Sequence, residues 1–219
     1  ADIDKESLDY IIVAHNFGDL NPGSTQGDIL PNLASRVKQS LNIKNSNCVA
    51  YDLLFGCPGW LQGVIHADAF IKGGLASRVL IIGTETLSRV VDHSDRDSMI
   101  FADGAGACIL ESNKKEPKRG VLASATKTFA NEEADYLYSG RGHNPEDTTE
   151  GYIKMNGRKI YEFALNEVPS AMKVAFEKSG ENIEDLKKIF IHQANEKMDE
   201  AIVKRFFRLY KKQVPSGIM

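Results

Sequence analysis

Short, nearly continuous apolar runs alternate along the chain with longer amphipathic stretches. The runs are rich in β-branched residues and lie in LDYIIVA, NCVAYDL, RVLIIGTET, GACILES, GVLASATK and KKIFIHQ. Runs of this kind are typical of buried strands, and the amphipathic stretches predict helices at 33–41, 58–72, 157–179 and 196–212. The alternation predicts an α/β protein with a largely parallel sheet.

A faint internal repeat accompanies this alternation. LDYIIVAHN, starting at Leu8, resembles LKKIFIHQA, starting at Leu186, and an acidic stretch precedes each. The repeat predicts two similar α/β halves, although chance similarity between two short segments is the alternative. The charged stretch ESNKKEPKRG is the best boundary, so we expect halves at 1–115 and 116–219. Each half lacks elements that the other has, and we therefore expect a sequence that is incomplete at both ends.

Two further stretches are irregular. Residues 16–32 and 129–150 are rich in Gly, Asn, Asp and Pro and are longer than most connections between elements. Such segments are either active-site lids or mobile loops, and the sequence does not choose between them.

Composition and charge narrow the class of protein. The 219 residues are 42% hydrophobic and 26% charged, with a net charge of −3, which gives no basic excess for nucleic acid. No apolar run approaches the roughly 20 residues of a membrane span, and the first residues lack the layout of a signal peptide. The 3 cysteines lack metal-ligand spacing. We expect a cytoplasmic protein that binds neither nucleic acid nor membrane.

Cys57 is the candidate nucleophile. It follows the strand NCVAYDL, lies in the turn FGCPG and comes directly before Pro58. Proline suits the first position of a helix, which predicts that Cys57 lies at a helix N-terminus. The positive end of the helix dipole favours the reactive thiolate there. Most cysteines are small buried hydrophobes, and that reading suits Cys48 and Cys108, which lie inside apolar strands.

His192 is the candidate second group, because it ends the run KKIFIH just before a helix that starts near Asn195. In α/β folds, functional sites lie at strand ends beside helix N-termini. A lone histidine is more often structural. We give that reading to His66, inside a helix, and to the three histidines assigned to polar loops, His15, His93 and His143.

Together these motifs resemble one family. DLLFGCPGW, RVLIIGTETLSRVVD, DRDSMIFADGAGACIL, MNGRKIYEFALNEVP and IFIHQAN occur in the order found in β-ketoacyl-acyl-carrier-protein synthase III. The resemblance implies a thiolase-like fold of duplicated α/β halves in five layers, α-β-α-β-α. It also implies a decarboxylative condensation of an acyl-CoA primer with malonyl-acyl-carrier protein in fatty acid biosynthesis. A homodimer is implied as well, with a contact between the two copies that includes the strand RVLIIGTET. No metal or bound cofactor is implied.

The resemblance assigns a role to each motif. Cys57 would carry the acyl group, and His192 would be one of two side chains that stabilise negative charge. The family's second group is an asparagine in a later loop that no stretch of this sequence matches, and Asn195 is not that residue. Four further residues would contact substrate: Gly104, Gly106, Asn156 and Lys197.

Other residues have structural or docking roles by the same resemblance. Glu85 would hold a loop, and Arg158 would support the helix that begins near it. A basic helix would receive the acidic carrier protein, although a solvated basic face is equally compatible with the sequence. Its basic residues are Lys204, Arg205, Arg208, Lys211 and Lys212.

Three alternatives stay open at this point. The nearest is another thiolase-fold condensing enzyme that makes a polyketide, a quinolone or a hydroxymethylglutaryl thioester. GCPGW with a distant histidine superficially resembles a papain-like protease, but that family leaves FADGAGA and HQAN unexplained. A non-catalytic scaffold is the third.

Overall fold

The computed structural model describes residues 2–21, 23–24, 26–113 and 119–219. The chain divides into two compact units: Ala1–Pro117 with Gly140–Tyr152, and Lys118–Ser139 with Ile153–Met219. The boundary predicted between residues 115 and 116 lies outside the described residues. The duplication of the two halves stays a prediction.

The first unit is built on a four-stranded sheet, in the order β4-β1-β5-β6. β1 (Tyr10–His15) is parallel to both β4 (Val49–Leu54) and β5 (Arg78–Thr86), and β6 (Asp103–Glu111) is antiparallel to β5. The four strands predicted in this region are confirmed. Because three strands are parallel, their carboxyl ends meet at one edge of the sheet.

One helix covers each face of this sheet. Side chains alternate along β1, so Ile11 and Val13 pack in a cluster with Ala34 of α1 (Leu33–Ser40). The opposite face carries Ile12, which lies under α2 (Gly59–Lys72). The core strand residues are fully buried, as expected for a sheet covered on both sides.

The remaining strands form two short ribbons. In the stretch 16–32, β2 (Asp19–Leu20) pairs antiparallel with β3 (Gly27–Asp28). In the stretch 129–150 lies β7 (Leu137–Gly140), which pairs with β8 (Tyr152–Met155). Both irregular stretches therefore contain some regular structure, and a role as a lid stays a prediction.

The second unit is dominated by α3 (Gly157–Ser179) and α4 (Glu196–Leu209), as the sequence predicts. Asn156 caps α3 by accepting the Lys159 N–H, and Gly180 ends it at a φ of 73°. α3 and α4 pack through aromatic and aliphatic side chains of one cluster, among them Phe176, Phe206 and Phe207.

Two predicted strands of the second half are wrong, since neither GVLASATK nor KKIFIHQ forms a strand in the structure. A strand needs a ladder of hydrogen bonds to a neighbour, and apolar sequence alone cannot supply one. The Ile189 N–H donates to the Ile218 carbonyl at 2.8 Å, but no ladder follows from this bond.

The structure also bears on two smaller predictions. His15 does not lie in a polar loop but ends β1, where it is buried. β5 is paired on both sides, with β1 and β6, so it offers no free edge, and a homodimer contact that includes RVLIIGTET stays a prediction. In the described part of the chain, no helix has the length and apolar character needed to cross a membrane.

Candidate active site

Cys57 occupies a tight turn between β4 and α2, at the carboxyl edge of the parallel strands. The Phe55 N–H donates to the His15 carbonyl at 3.2 Å and continues the sheet, and the Gly59 N–H closes the turn on the Gly56 carbonyl at 2.7 Å. Pro58 is the N-cap, so the helix begins at Gly59, one residue later than predicted. Cys57 is solvent-exposed.

Electrostatics at this turn favour an anion. No side chain caps the N-terminus of α2, and the first amides of a helix have no intrahelical acceptor. These N–H groups and the helix dipole place positive partial charge beside Cys57. The turn therefore provides the electrostatic environment that was predicted to favour a reactive thiolate at Cys57.

Three glycines bring α2 unusually close to the sheet. A Cβ added at Gly59 would lie 2.9 Å from Cβ of Ala14, and one at Gly63 would lie 2.7 Å from Cγ2 of Ile81. On the strand side, a Cβ at Gly83 would lie 2.8 Å from Cβ of Trp60. Side chains larger than hydrogen do not fit at these positions, so the glycines fix the height of the helix above the sheet.

The other two cysteines differ from Cys57 in their environment. Burial raises the pKa of the Cys48 thiol, which belongs to the core under α1. Burial also raises the pKa of Cys108, although a hydrogen bond with Trp60 partly opposes this. A thiol with a raised pKa is less often a thiolate at neutral pH, so both suit the structural role predicted for them.

A buried polar contact that sequence reasoning missed supports the same edge of the sheet. His15 Nε2 lies 2.8 Å from Oδ2 of Asp52, and the Gly18 N–H donates to His15 Nδ1 at 2.9 Å. Asp52 also accepts the N–H groups of Leu33 and Ala34, at 2.9 and 2.8 Å. The signal was the acidic residue inside the otherwise apolar strand VAYDLL.

Gly104 and Gly106 lie at the same edge of the sheet, where they pair with Glu85 and Gly83 of β5. An added Cβ would meet nothing within 4 Å at either glycine. The described residues therefore supply no close approach that requires glycine there, and a role beneath the site stays a prediction. Glu85 accepts the Asn16 N–H at 2.7 Å, a contact that agrees with the loop-holding role expected for it.

His192 belongs to the second unit, in an extended segment that leads into α4. The neighbouring Ile191 packs against the cluster that contains Ile202 of α4, whereas His192 is exposed. Asn195 caps α4 by accepting the Met198 N–H at 3.1 Å, so the helix starts where the sequence predicts. The meeting of His192 and Cys57 in one active site stays a prediction.

Asn156 and Lys197 are the two remaining candidate substrate contacts. Asn156 is exposed and its side chain serves as the cap of α3. Lys197 is exposed on the first turn of α4. Arg158 is 88% exposed and pairs with Glu162 one helical turn later, as expected for helix support. Substrate contacts by Asn156 and Lys197 stay predictions.

One group of side chains has the composition of a metal site. The ligand atoms of Asp92, Asp95 and His143 lie within 4.8 Å of one another. Asp92 already accepts the His143 N–H at 2.7 Å and the Ser94 N–H at 2.9 Å. Through these hydrogen bonds the group anchors the loop around His143, and we assign no metal chemistry to it.

A family model and curated relatives of this chain carry the same description. A family model described as 3-oxoacyl-[acyl-carrier-protein] synthase III matches residues 51–129, a range that includes Cys57 and FADGAGA. The beta-ketoacyl-[acyl-carrier-protein] synthase III of Sinorhizobium medicae is 32% identical over 209 residues. That alignment covers 94% of this chain and 61% of the relative.

Solved structures agree with this comparison. The 3-oxoacyl-[acyl-carrier-protein] synthases III of Thermus thermophilus and Aquifex aeolicus are 32% and 30% identical, with TM-scores of 0.73 and 0.74. Each comparison covers 92% of this chain, but only 60% and 59% of the solved chain. The chain thus spans less than two thirds of the length of these relatives.

The similarity inferred from the motifs is confirmed, and so is the thiolase-like α/β fold. The match extends through the part of the chain that contains His192, because it covers more than nine tenths of the sequence.

Proposed function

We propose that this relative of the β-ketoacyl-[acyl-carrier-protein] synthases III is itself a condensing acyltransferase of fatty acid biosynthesis. It joins an acyl-CoA primer to malonyl-acyl-carrier protein through an acyl-Cys57 intermediate. The observation that carries the proposal is the position of Cys57, the one cysteine that is exposed and lies at a helix N-terminus.

The chemistry divides into two steps. In the first, the Cys57 thiolate attacks the carbonyl carbon of the acyl thioester, the bond from that carbon to the sulfur of coenzyme A breaks, and coenzyme A leaves as its thiolate. In the second, the malonyl group loses carbon dioxide, and the resulting enolate attacks the acyl-cysteine carbonyl and releases the Cys57 thiolate. Preorganised donors must stabilise the negative charge, and His192 is proposed as one of them. Decarboxylation generates the carbanion, so the proposed mechanism uses neither metal nor cofactor.

The carrier protein is proposed to dock on the basic face of α4. Lys204 and Arg208 line a shallow groove with Gln213. Arg205 is directed instead at α3, where it donates to the Leu165 carbonyl at 2.9 Å. Lys212 pairs with Glu184 at 2.7 Å. The proposed docking surface therefore centres on Lys204 and Arg208 and keeps the exposed Lys211, and it attracts an acidic partner through charge complementarity.

The homodimer and the cytoplasmic location are parts of the same proposal. β4 is an outer strand of the sheet, and its apolar residues Val49 and Leu54 are 47% and 66% exposed. An exposed apolar edge strand favours pairing with a second copy, so we propose the contact at β4 rather than β5. Light scattering should give twice the chain mass for the wild type and the chain mass for Val49→Lys; a wild-type monomer would contradict the proposal.

Acyl transfer is the deciding experiment for the function. The protein is incubated with acyl-CoA esters of several chain lengths and analysed by intact mass and by mapping of the modified peptide. We expect one acyl group, attached at Cys57, and none in Cys57→Ser. Cys108→Ser is the matched control, because it removes a thiol of the same sheet and should still be acylated. Modification of Cys48 or Cys108 in place of Cys57 would overturn the proposal.

A further inference from the structure

Trp60 lies in the first turn of α2, three residues after Cys57, and packs directly on strand β5. Its Cβ lies 2.8 Å from the position that a Cβ on Gly83 would occupy, and its Cγ lies 3.5 Å from that position. This contact fixes the base of the indole side chain, yet Trp60 is 40% exposed. Tryptophan is highly buried on average, so an exposed indole beside the proposed nucleophile offers contact area to a ligand.

The strand next to Trp60 carries two glycines that leave open space. Gly106 pairs with Gly83, and directly opposed residues point to the same face of a sheet, so Gly106 faces α2. Gly104 is two residues away on the same strand and faces the same side. A Cβ added at Gly104 or Gly106 would meet nothing within 4 Å among the described residues. Bare backbone under open space therefore forms a trough along β6.

The body of α2 closes the inner end of this trough. Beyond Gly106, the next residue of β6 on this face is Cys108, which pairs with Ile81 of β5. A Cβ on Gly63 of α2 would lie 2.7 Å from Cγ2 of Ile81, so the helix rests directly on the sheet there. Trp60 contacts the residue paired with Gly106, and it is therefore the side chain of α2 at the point where the open space ends.

The outer end of the trough lies at the carboxyl edge of the parallel strands. Gly104 pairs with the next-to-last residue of β5, and Cys57 lies in a turn at the same edge. Exposed apolar side chains flank that turn, since Leu54 and Leu61 are 66% and 52% exposed. An acyl group on Cys57 therefore has apolar surface beside it and bare backbone leading inward to Trp60.

We propose that the trough receives the acyl chain carried by Cys57, and that Trp60 is a specificity-determining residue that sets the longest chain that fits. The inference deepens the proposed function and rests on it. The ligand class is a linear hydrocarbon acyl group, because the floor is glycine backbone and the end wall is an indole, neither of which carries a charge. Each buried methylene adds to binding until the chain meets the indole, and a longer chain then clashes.

The test uses alkyl methanethiosulfonates of increasing chain length. These reagents form a mixed disulfide with a cysteine thiolate and release methanesulfinate, so they report how a chain fits at Cys57 without any acyl-CoA. The rate of labelling at Cys57, relative to free cysteine, is measured by peptide mapping in the wild type and in two variants. Trp60→Ala removes the end wall, and Gly106→Val fills the trough.

The matched control is Leu75→Ala, which removes an apolar side chain that is 67% exposed just after the other end of α2. Circular dichroism and thermal melting show whether each variant is folded. Gly106→Val guards against a misfolded Trp60→Ala, because the added side chain enters open space. Acylation by acyl-CoA esters of the same chain lengths is measured in parallel.

In the wild type we expect the relative labelling rate to rise with chain length and then to fall about tenfold or more once the chain exceeds the trough. Trp60→Ala should move that limit to longer chains and Gly106→Val to shorter ones, whereas Leu75→Ala should leave it in place. The same limit in all four folded proteins, or no limit in any, would overturn the inference. If the reagents show the limit but no acyl-CoA ester acylates Cys57, the trough is supported and the proposed function is contradicted.

Discussion

Replacing Gly83 with alanine should displace helix α2 at the turn that carries Cys57. The new Cβ would lie 2.8 Å from Cβ of Trp60 and 3.6 Å from its Cα. The shorter distance is about 0.6 Å less than the 3.4 Å at which ordinary van der Waals contact begins. Because Cβ and Cα move with the helix, rotation of the Trp60 side chain cannot relieve the clash.

The expected cost follows from two opposing effects. Overpacking a core contact costs about 1–3 kcal/mol. Alanine recovers roughly 0.5–1 kcal/mol, since it loses less backbone freedom than glycine on folding. The net loss in the free energy of unfolding should therefore lie between about 0 and 2.5 kcal/mol. Acylation of Cys57 should also slow, because the turn moves with the helix.

Trp60 is the single tryptophan of the chain, so its fluorescence reports both the local shift and the urea unfolding of this unit. The matched control is Gly106→Ala, at the residue paired with Gly83 on β6, where an added Cβ meets nothing within 4 Å. Because no clash opposes the same gain in backbone freedom, we expect that control to leave stability unchanged or to raise it by up to about 1 kcal/mol. Equal stability and an unchanged Trp60 spectrum in Gly83→Ala would refute the packing argument.

Three further predictions concern charge. Asp52→Asn should destabilise the protein by about 1–3 kcal/mol in urea unfolding, because the Asp52 carboxylate accepts hydrogen bonds from two N–H groups of α1 and contacts His15. The control Asp68→Asn, which removes an ion pair within one helix, should cost less than about 1 kcal/mol. Lys204→Glu with Arg208→Glu should raise the KM for malonyl-acyl-carrier protein and reduce its salt dependence, and Arg158→Glu should not. The Ser88 hydrogen bonds lower the pKa of Asp103 below its ordinary value of 3.8, so their stabilisation is present above that pH and is lost on acidification. Asp103→Asn should flatten this acid limb of a stability-versus-pH curve.

The sequence predicted the first unit well because its signals are local. Each of its four main strands is an apolar run bounded by turn residues, and Cys57 lies where a strand, a glycine-rich turn and a proline follow one another. The close approach of α2 was not predicted, since it depends on Gly63 meeting Ile81 and Gly83 meeting Trp60. Contacts between residues distant in sequence leave no periodic signal, so they become visible only in the fold.

Asp199 and Asp52 show what sequence reasoning could still have found. Each is an acidic residue at a position where the pattern predicts burial: Asp199 on the apolar face of α4, and Asp52 within the apolar strand β4. Such a residue needs hydrogen-bond or charge partners, which makes it a candidate for a structural or functional role. The partner of Asp52, His15, could not be assigned before the structure.

The two proposed catalytic groups depend on different parts of the chain, and this makes their steps separable. Cys57 is positioned by a turn and a helix that pack within the first unit. His192 lies in the segment before α4, within the second unit. Acyl transfer to Cys57 should therefore survive His192→Ala, whereas decarboxylation should survive Cys57→Ser but not His192→Ala. If Cys57→Ser and His192→Ala instead abolished both steps equally in folded protein, the division of roles between the thiol and the imidazole would be wrong.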